Sequence, residues 1–340
     1  MKVQRVDSLD YPLLERKLSF SGLDSWTNLA HSMYGYKVYR YSATEDSQPL
    51  AVISLVEVKH PVFGHYLVSA PFGSYGGFAF ETQSARNLLL TEVSQLAEQL
   101  KVEYAAIRFD EGETTPPDNW IQHPAYFTYL VDLSCGSEAL LKTFSSDHRN
   151  HVRKSTKKGF SVRFGHLDLL DDIYEALASS MHELGSPYHT KTYLQKMAEF
   201  LGDTLEFAVL YDAHGNIAGG GVFIYQGDTV FNLHANILRG FRSNYAGEFL
   251  YWSVIERSIQ KGLNTFDLGR SLAGSGNEVF KMKWHPQKKL LAYWHWLAPG
   301  QALPALDQKN PKFQLAIAVW KRLPAFIVRA IGPYLVRGLA

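Results

Sequence analysis

Charged residues follow an apolar segment near residue 267, where they could orient a substrate or move a proton. Asp267 and Arg270 flank Gly269 at the end of a segment that reads as a strand. Charged groups at such a strand end are candidates for catalysis, and an internal ion pair that only fixes the loop is the alternative. Further along, the alternation over residues 280–284 predicts a strand that places Lys281 and Lys283 on one side.

A basic segment offers a second kind of chemistry, the binding of phosphate groups. Between residues 149 and 163 every charged side chain is basic, and several pairs stand four positions apart, a spacing at which like charges destabilise a helix. An anionic partner would relieve this repulsion. We therefore predict that Arg149 and Lys154 bind phosphates of a lipid-linked precursor or of tRNA. A solvated basic face is the alternative.

Tyrosine, histidine and cysteine residues complete the candidates. Tyr75 lies among glycines that permit a tight turn beside a cleft, where it could bind substrate, and a packed ring is the alternative. The pairs His148/His151 and His182/His189 have no carboxylate at a metal-ligand spacing, so we predict no metal. Cys135 is the single cysteine and lacks a motif-borne histidine, which speaks against a nucleophilic triad.

Composition limits the class of protein. The chain has 340 residues and a net charge of +1, with 46% hydrophobic residues, which excludes a disordered chain and gives no global attraction to nucleic acid or membrane. A single cysteine suits a reducing compartment, so we predict a cytoplasmic protein. The charged residues among the first apolar ones predict neither a signal peptide nor a membrane span there.

The elements that must position these residues follow the same order twice. In each half, three strands precede a helix and a further strand; the second helix is predicted at residues 246–261, with Gly262 as its stop. This order predicts an α/β (α+β) architecture with mixed sheets and flanking helices. We expect an N-terminal domain at residues 1–140, a C-terminal transferase domain at residues 141–300 and a tail at residues 301–340.

The tail is apolar and basic. From residue 313 to the end it carries no acidic residue, and Pro324 and Pro333 divide it into pieces too short to span a bilayer. The basic residues are Lys321, Arg322, Arg329 and Arg337. This pattern predicts a peripheral contact with the inner face of the membrane, and packing against the domain core or a second subunit is the alternative.

Four segments resemble one known family. The run FDLGRSLAGSGNEVFKMKW (266–284) resembles the C-terminal signature of FemAB-like, GNAT-like proteins with a BioF2-like acetyltransferase domain, near the PEP-CTERM and exopolysaccharide-associated group. The segments SAPFGSYGG, HRNHVRKSTKKGF and LGSPYHTKTYL agree with it, in order. The resemblance implies two tandem GNAT-like domains with largely antiparallel sheets. It also implies transfer of an activated acyl or aminoacyl group from acyl-CoA or aminoacyl-tRNA, with no tightly bound cofactor.

The resemblance also implies roles for particular residues. Lys281 and Trp284 match the family pattern, whereas His285 stands where the family usually has glycine. Lys281, rather than Lys283, would stabilise an oxyanion or a phosphate, and a solvated strand lysine is the alternative. Tyr188 resembles the family's substrate-loop position, where a phenol could bind the acceptor or donate a proton, and a packed, hydrogen-bonded ring is the alternative. In the phosphate-binding loop, Arg242 is the basic residue, but Tyr245 replaces the first glycine, which disfavours coenzyme A and favours a Fem-type donor. An ordinary helix start is the alternative there.

These observations together predict a transferase. It would move an acyl or aminoacyl group to an amine or hydroxyl of a cell-envelope or exopolysaccharide precursor. Asp267 would orient the acceptor or accept its proton, and Arg270 and Lys281 would stabilise negative charge. Two alternatives stay open: a non-catalytic binding or assembly protein, and a soluble acyl-CoA N-acyltransferase.

Overall fold

The computed structural model describes residues 1–9, 11–110, 115–122, 126–302 and 311–340 of the chain. The chain forms two compact units. Unit 1 contains Met1–Phe127, Lys289–Ala305 and Arg337–Ala340. Unit 2 contains Thr128–Lys288 and Leu306–Val336. Both units are therefore built from segments that are separated in the sequence.

In the described part of the chain, the strands are β1 (Lys2–Arg5), β2 (Lys37–Glu45), β3 (Gln48–His60), β4 (Gly64–Ser69), β5 (Phe78–Phe80), β6 (Tyr104–Phe109), β7 (Trp120–Gln122), β8 (Tyr126–Asp132), β9 (Ser161–Gly165), β10 (Leu205–Tyr211), β11 (Ile217–Gln226), β12 (Thr229–Ile237), β13 (Thr265–Asp267), β14 (Ser271–Leu272) and β15 (Gln287–Leu297). The α-helices are α1 (Pro12–Glu15), α2 (Asp24–Tyr34), α3 (Gln83–Leu100), α4 (Ser137–Thr143), α5 (Ser146–Ser155), α6 (Leu170–Leu184), α7 (Lys191–Leu201), α8 (Ala246–Gln260), α9 (Gly276–Met282), α10 (Pro311–Trp320) and α11 (Ala325–Val336).

Unit 1 is built around a mixed sheet. Its strands lie in the order β1-β2-β3-β4-β6-β15, with β4 and β6 parallel and the other neighbours antiparallel. Thr82 caps the start of helix α3, and its side chain accepts a hydrogen bond from the N–H of Ala85. Its buried face, including Leu89 and Val93, packs with Ile53 in the core of this unit. The periodic apolar residues of α3 therefore cover one face of the sheet.

Residues 337–340 belong to unit 1, where side chains hold their backbone. The hydroxyls of Tyr36 and Tyr66 donate to the carbonyls of Arg337 and Gly338, and the guanidinium of Arg108 donates to the carbonyl of Ala340. These carbonyls thus have side-chain donors as partners.

Unit 2 has its own sheet, in the order β8-β13-β12-β11-β10-β9. Strands β12 and β13 are parallel, and the other neighbours are antiparallel. Helix α6 packs on β11 because Gly220 has no side chain: a Cβ there would lie 2.8 Å from Cδ1 of Ile173. The mixed, largely antiparallel α/β architecture predicted from the sequence is confirmed.

One predicted element is wrong. Residues 280–284, predicted as a strand, lie in and just after helix α9. Ser275 caps this helix, accepting a hydrogen bond from the N–H of Glu278 at 3.2 Å. Lys281 is consequently buried while Lys283 is partly exposed, so the two lysines do not share one side.

Neither α10 nor α11, nor any other helix among the described residues, is long and apolar enough to cross a membrane.

Candidate functional site

The sheet of unit 2 opens between two parallel strands. Strands β12 and β13 pair only over residues 229–231 and 265–267; β12 then continues to Ile237, whereas β13 ends. Strand β12 also carries a bulge, because Val222 pairs with His234 and Phe223 pairs with Asn232, which leaves Leu233 as the extra residue. Beyond residue 231, therefore, no strand among the described residues pairs with β12 on that edge.

A tight turn follows β13 at Gly269. This residue has φ of 77°, and a Cβ added to it would lie 3.1 Å from the carbonyl oxygen of Asn232. The conformation and the close approach both require glycine. The turn thus brings the backbone after β13 against β12 at the base of the opening.

Two predicted catalytic residues hold this turn from opposite sides. Asp267 is 1% exposed, and its Oδ1 accepts hydrogen bonds from Oγ1 of Thr128 at 2.5 Å and from the N–H of Gly269 at 2.7 Å. Nζ of Lys281 donates to the carbonyls of Gly269 at 2.7 Å and Arg270 at 2.8 Å. Asp267, Arg270 and Lys281 therefore meet at one turn, as a connected hydrogen-bond network.

The environment of Lys281 lowers its pKa to about 8, chiefly because burial disfavours the ammonium. The guanidinium of Arg270 lowers the pKa further, and the carboxylate of Asp267 raises it. The ammonium lies 5.4 Å from the ring centroid of Tyr129. Lys281 thus stays largely charged at neutral pH, although its side chain is buried.

A group of uncharged side chains lies along the open part of β12, and the sequence analysis missed its central member, His234. The ring of Tyr188, in the loop between α6 and α7, lies 5.7 Å from the ring of His234. Burial lowers the pKa of His234 to about 4 and holds the pKa of His189 well below its ordinary value. His234 is therefore neutral at pH 7, and within the described residues its Nε2 has no hydrogen-bond partner.

A sequence signal for His234 did exist. Asn232, His234 and Asn236 are alternate polar residues in a strand that otherwise reads as apolar. Polar residues at every second position of a strand predict one shared face. The bulge at Leu233 breaks this pattern: His234 and Asn236 share a face, whereas Asn232 lies on the other, where its side chain donates to the hydroxyl of Tyr251 in α8. The sequence could not show this bulge, or that His234 borders an opening in the sheet.

Helix α8 begins at the segment predicted to bind phosphate. Tyr245 is its N-cap and has φ of 62°, a left-handed conformation that glycine adopts without strain. Its ring stacks on His151, with 4.6 Å between the ring centroids. Nε of Arg242 donates to the carbonyl of Ile237 at 2.9 Å, and its Nη2 lies 3.9 Å from Glu183. The loop keeps the glycine-type backbone but carries a bulky side chain.

A cluster of histidine and carboxylate side chains lies beside this helix start. His148 and His151 of α5 and Glu248 of α8 each offer one ligand atom, and these atoms lie within 4.8 Å of one another. The absence of a carboxylate at a suitable spacing was the reason for predicting no metal. The structure supplies that carboxylate from another helix, which a spacing argument cannot detect.

The remaining predicted residues have diverse surroundings. Arg149 donates to the carbonyls of Lys142 at 3.0 Å and Phe144 at 2.6 Å, at the end of α4, whereas Lys154 is exposed. Trp284 is fully buried, and its ring packs edge-on against His148 at 4.5 Å. Tyr75 belongs to unit 1, where its carbonyl accepts hydrogen bonds from Ser19 and Ser21.

The opening between β12 and β13 lies within a segment that is similar to a known protein family. Residues 144–282 match the family described as the acetyltransferase (GNAT) domain. Among the curated proteins, none matches this sequence.

Solved structures are similar in fold over most of the chain. The crystal structure of FemX has a TM-score of 0.65 and 14% identity, covering 93% of this chain and 100% of FemX. A tandem GNAT protein from the clavulanic acid biosynthesis pathway has a TM-score of 0.56 and 9% identity, covering 86% of this chain and 97% of that protein. The C-terminal domain of a putative lysylphosphatidylglycerol synthetase from Agrobacterium fabrum has a TM-score of 0.55 and 13% identity, covering 90% and 92% of the two chains.

Proposed function

We propose, from the premise that residues 144–282 form a GNAT-type acyltransferase domain, that the chain moves an activated aminoacyl or acyl group to an amine or hydroxyl. The acceptor class that we propose is a cell-envelope or exopolysaccharide precursor. One observation carries the proposal: the sheet of unit 2 opens between β12 and β13, and a neutral histidine, His234, lies on the strand that borders this opening.

In the proposed reaction, the acceptor amine attacks the carbonyl carbon of the donor ester. A C–N bond forms, the C–O bond to the donor breaks, and the amine proton passes to Nε2 of His234 before it reaches the leaving oxygen. Arg270 stabilises the developing negative charge. Asp267 and Lys281 act as positioning residues, since their hydrogen bonds hold the Gly269 turn.

We favour aminoacyl-tRNA over acyl-CoA as the donor. The side chain of Tyr245 occupies the glycine position of the phosphate loop, and Glu248 places a carboxylate in the first turn of α8. That carboxylate interacts with the positive end of the helix dipole and so competes with a phosphate. Exposed basic residues in α5 and just after it, including Arg153, Lys154 and Lys157, could bind the phosphates of an RNA.

The name of one structural neighbour is compatible with the proposed class of acceptor. That neighbour is described as the C-terminal domain of a putative lysylphosphatidylglycerol synthetase, a name that pairs a lysyl group with a phospholipid. At 13% identity it supports the fold and leaves the substrate to experiment.

The test compares the two donors directly. Purified protein is incubated with charged tRNA or with acetyl-CoA and a panel of envelope precursors, and products are read by mass spectrometry. We expect product with charged tRNA, a loss of about 100-fold or more in turnover for His234→Gln, and little change for His214→Ala in an exposed turn. Turnover with acetyl-CoA alone would favour the soluble N-acyltransferase, and precursor binding without turnover would favour an assembly protein.

We further propose that the C-terminal tail rests on an anionic membrane surface. One side of it packs on unit 2, where Arg329 contacts Glu175 at 2.7 Å and α11 packs on α6. The other side is exposed and apolar, with Leu315 at 68% and Phe326 at 73% exposure. The basic residues Lys321 and Arg322 lie between the two helices and are exposed. Apolar side chains beside basic ones are typical of helices that lie in a membrane interface.

Flotation with anionic and neutral vesicles tests the membrane contact. Replacing both Lys321 and Arg322 with alanine should weaken binding to anionic vesicles by about 2 kcal/mol, since each basic residue near such a surface contributes about 1 kcal/mol. Phe326→Ser should weaken binding to both kinds of vesicle. Wild-type protein that stays with neither vesicle would contradict the membrane contact, whatever its transferase activity.

A further inference from the structure

Two histidines of one helix face a carboxylate of another in unit 2. His148 and His151 stand three positions apart on α5, a spacing that places side chains on the same helix face. Glu248 is in the first turn of α8, which packs against α5. One nitrogen of each histidine and one oxygen of Glu248 lie within 4.8 Å of one another.

The histidines of this cluster are short of hydrogen-bond partners. His148 is 2% exposed, and neither Nδ1 nor Nε2 has a partner among the described residues. Nδ1 of His151 also has none within the described part of the chain. Burying such groups without a partner costs free energy, and native structures contain few of them. The rings of Trp284 and Phe144 hold the imidazole of His148 in place, at 4.5 and 5.1 Å between centroids.

We propose that His148, His151 and Glu248 bind one divalent transition-metal ion, with Zn²⁺ as the ion that this donor set fits. Two imidazoles and one carboxylate are a ligand set that zinc adopts in proteins, and three protein ligands leave a fourth position open to water or a substrate group. Ligand atoms around a tetrahedral zinc lie about 3.3 Å apart, as follows from bonds of about 2.0–2.1 Å. Because the three ligand atoms lie within 4.8 Å of one another, side-chain movements that shorten these separations by at most about 1.5 Å close the site.

The metal would join two helices that carry the proposed donor site. Helix α5 carries the basic residues, and α8 begins at Tyr245, whose ring stacks on the ring of His151. A bound ion would fix α5 against the start of α8 and neutralise the carboxylate of Glu248. None of the metal ligands takes part in the proposed proton transfer, so metal binding can be measured separately from turnover.

Lys283 opposes metal binding and so provides a sharp test. Its Nζ lies 3.5 Å from a carboxylate oxygen of Glu248, and its side chain is 39% exposed, so it can turn toward solvent when a metal arrives. Removing this ammonium leaves all three ligands in place and removes a repulsive positive charge. Lys283→Met should therefore bind the metal more tightly than the wild type, by about tenfold for an electrostatic interaction of about 1.4 kcal/mol.

The experiment uses the untagged full-length chain, freed of metal by dialysis against a chelator and titrated with Zn²⁺ in a calorimeter. We expect one ion per chain, affinity weakened by about tenfold or more in His151→Ala and in Glu248→Gln, and unchanged affinity in His214→Ala as the matched control. Titration with Co²⁺ should give the visible absorption of a tetrahedral site in the wild type, His214→Ala and Lys283→Met, and not in the two ligand variants.

Three results would overturn the proposal: no Zn²⁺ binding by the wild type, equal binding in the two ligand variants, or equal or weaker binding in Lys283→Met. The last variant keeps every proposed ligand, so it decides the question even where a ligand variant fails to fold.

Discussion

Unit 2 contains two buried polar clusters that differ in how their hydrogen bonds are satisfied. At the Gly269 turn, Asp267 and Lys281 each make at least two hydrogen bonds, and the backbone groups they hold belong to the same turn. At the contact between α5 and α8, the two nitrogens of His148 have no partner among the described residues. Both clusters contain ionisable groups, and burial shifts the pKa of Lys281 and of His148 downward.

This difference distinguishes side chains that support the site from side chains that are available to bind a ligand. Asp267 and Lys281 both direct hydrogen bonds to backbone groups of the turn, so these side chains stabilise the turn that borders the site. A buried imidazole without partners costs free energy until a ligand arrives. By this criterion, His234 and His148 are the binding candidates of unit 2, and Lys281 is a positioning residue.

Removing the hydrogen bonds of Lys281 at the Gly269 turn should have the largest effect on stability. Lys281→Met leaves the carbonyls of Gly269 and Arg270 without their buried donor, so we expect the free energy of unfolding to fall by about 3 kcal/mol. Denaturant unfolding measures this, with Lys283→Met as the control at a more exposed lysine. Lost turnover with a change below about 1 kcal/mol would instead place Lys281 among the groups that contact substrate.

Removing the unpartnered nitrogens of His148 should have an effect of opposite sign on stability. His148→Phe keeps a ring between Trp284 and Phe144 but removes the two unpartnered nitrogens, so the metal-free protein should be equally stable or gain about 1 kcal/mol. Adding Zn²⁺ should then raise the melting temperature of the wild type and leave that of the variant unchanged. A metal-free variant destabilised by several kcal/mol would show that the imidazole already has a structural role.

The basic segment at residues 149–163 likewise contains one residue with structural hydrogen bonds and one that is free to bind a ligand. Arg149 donates to two carbonyls at the end of α4, whereas Lys154 is exposed. Arg149→Ala should therefore lower the free energy of unfolding by about 1 kcal/mol, and Lys154→Ala should leave it unchanged within about 0.5 kcal/mol. In a tRNA-binding assay at low salt, Lys154→Ala should nevertheless weaken binding. Binding that is insensitive to Lys154→Ala and to salt would make this a solvated face.

The smallest effect concerns acid stability. Hydrogen bonds from Lys288, from the N–H of Gly274 and from Tyr129 lower the pKa of Glu278 from 4.5 to about 2. Because the folded-state pKa is depressed, this contribution to stability is complete above pH 4.5 and is lost as the pH falls toward 2. Glu278→Gln should flatten that part of the stability curve. Parallel curves for variant and wild type between these pH values would rule the contribution out.

Local signals predicted much of the fold. The apolar residues Leu89 and Val93 recur at helical spacing in the segment that forms α3. The helix predicted at residues 246–261 is α8, Ala246–Gln260, and Gly262 follows it with φ of 78°. Periodicity, caps and glycine stops depend on neighbouring residues, so a sequence contains them directly.

Short patterns failed where two local interpretations competed. The alternation over residues 280–284 fits a strand over five positions, but the cap formed by Ser275 and Glu278 starts a helix there. The sequence did bring Asp267, Arg270 and Lys281 forward as one group, through strand ends and a family resemblance. It could not show that Lys281 would donate its hydrogen bonds to the backbone carbonyls of the turn.

The sequence by itself therefore determined the elements, their order and the charged segments, because these depend on residues that are close along the chain. Only the tertiary structure decided which distant groups meet. Glu248 reaches His148 and His151 because α8 packs on α5, and His234 borders an opening because β13 ends while β12 continues. Such contacts depend on how the helices and strands pack, and packing follows from the summed burial of many side chains rather than from any one spacing.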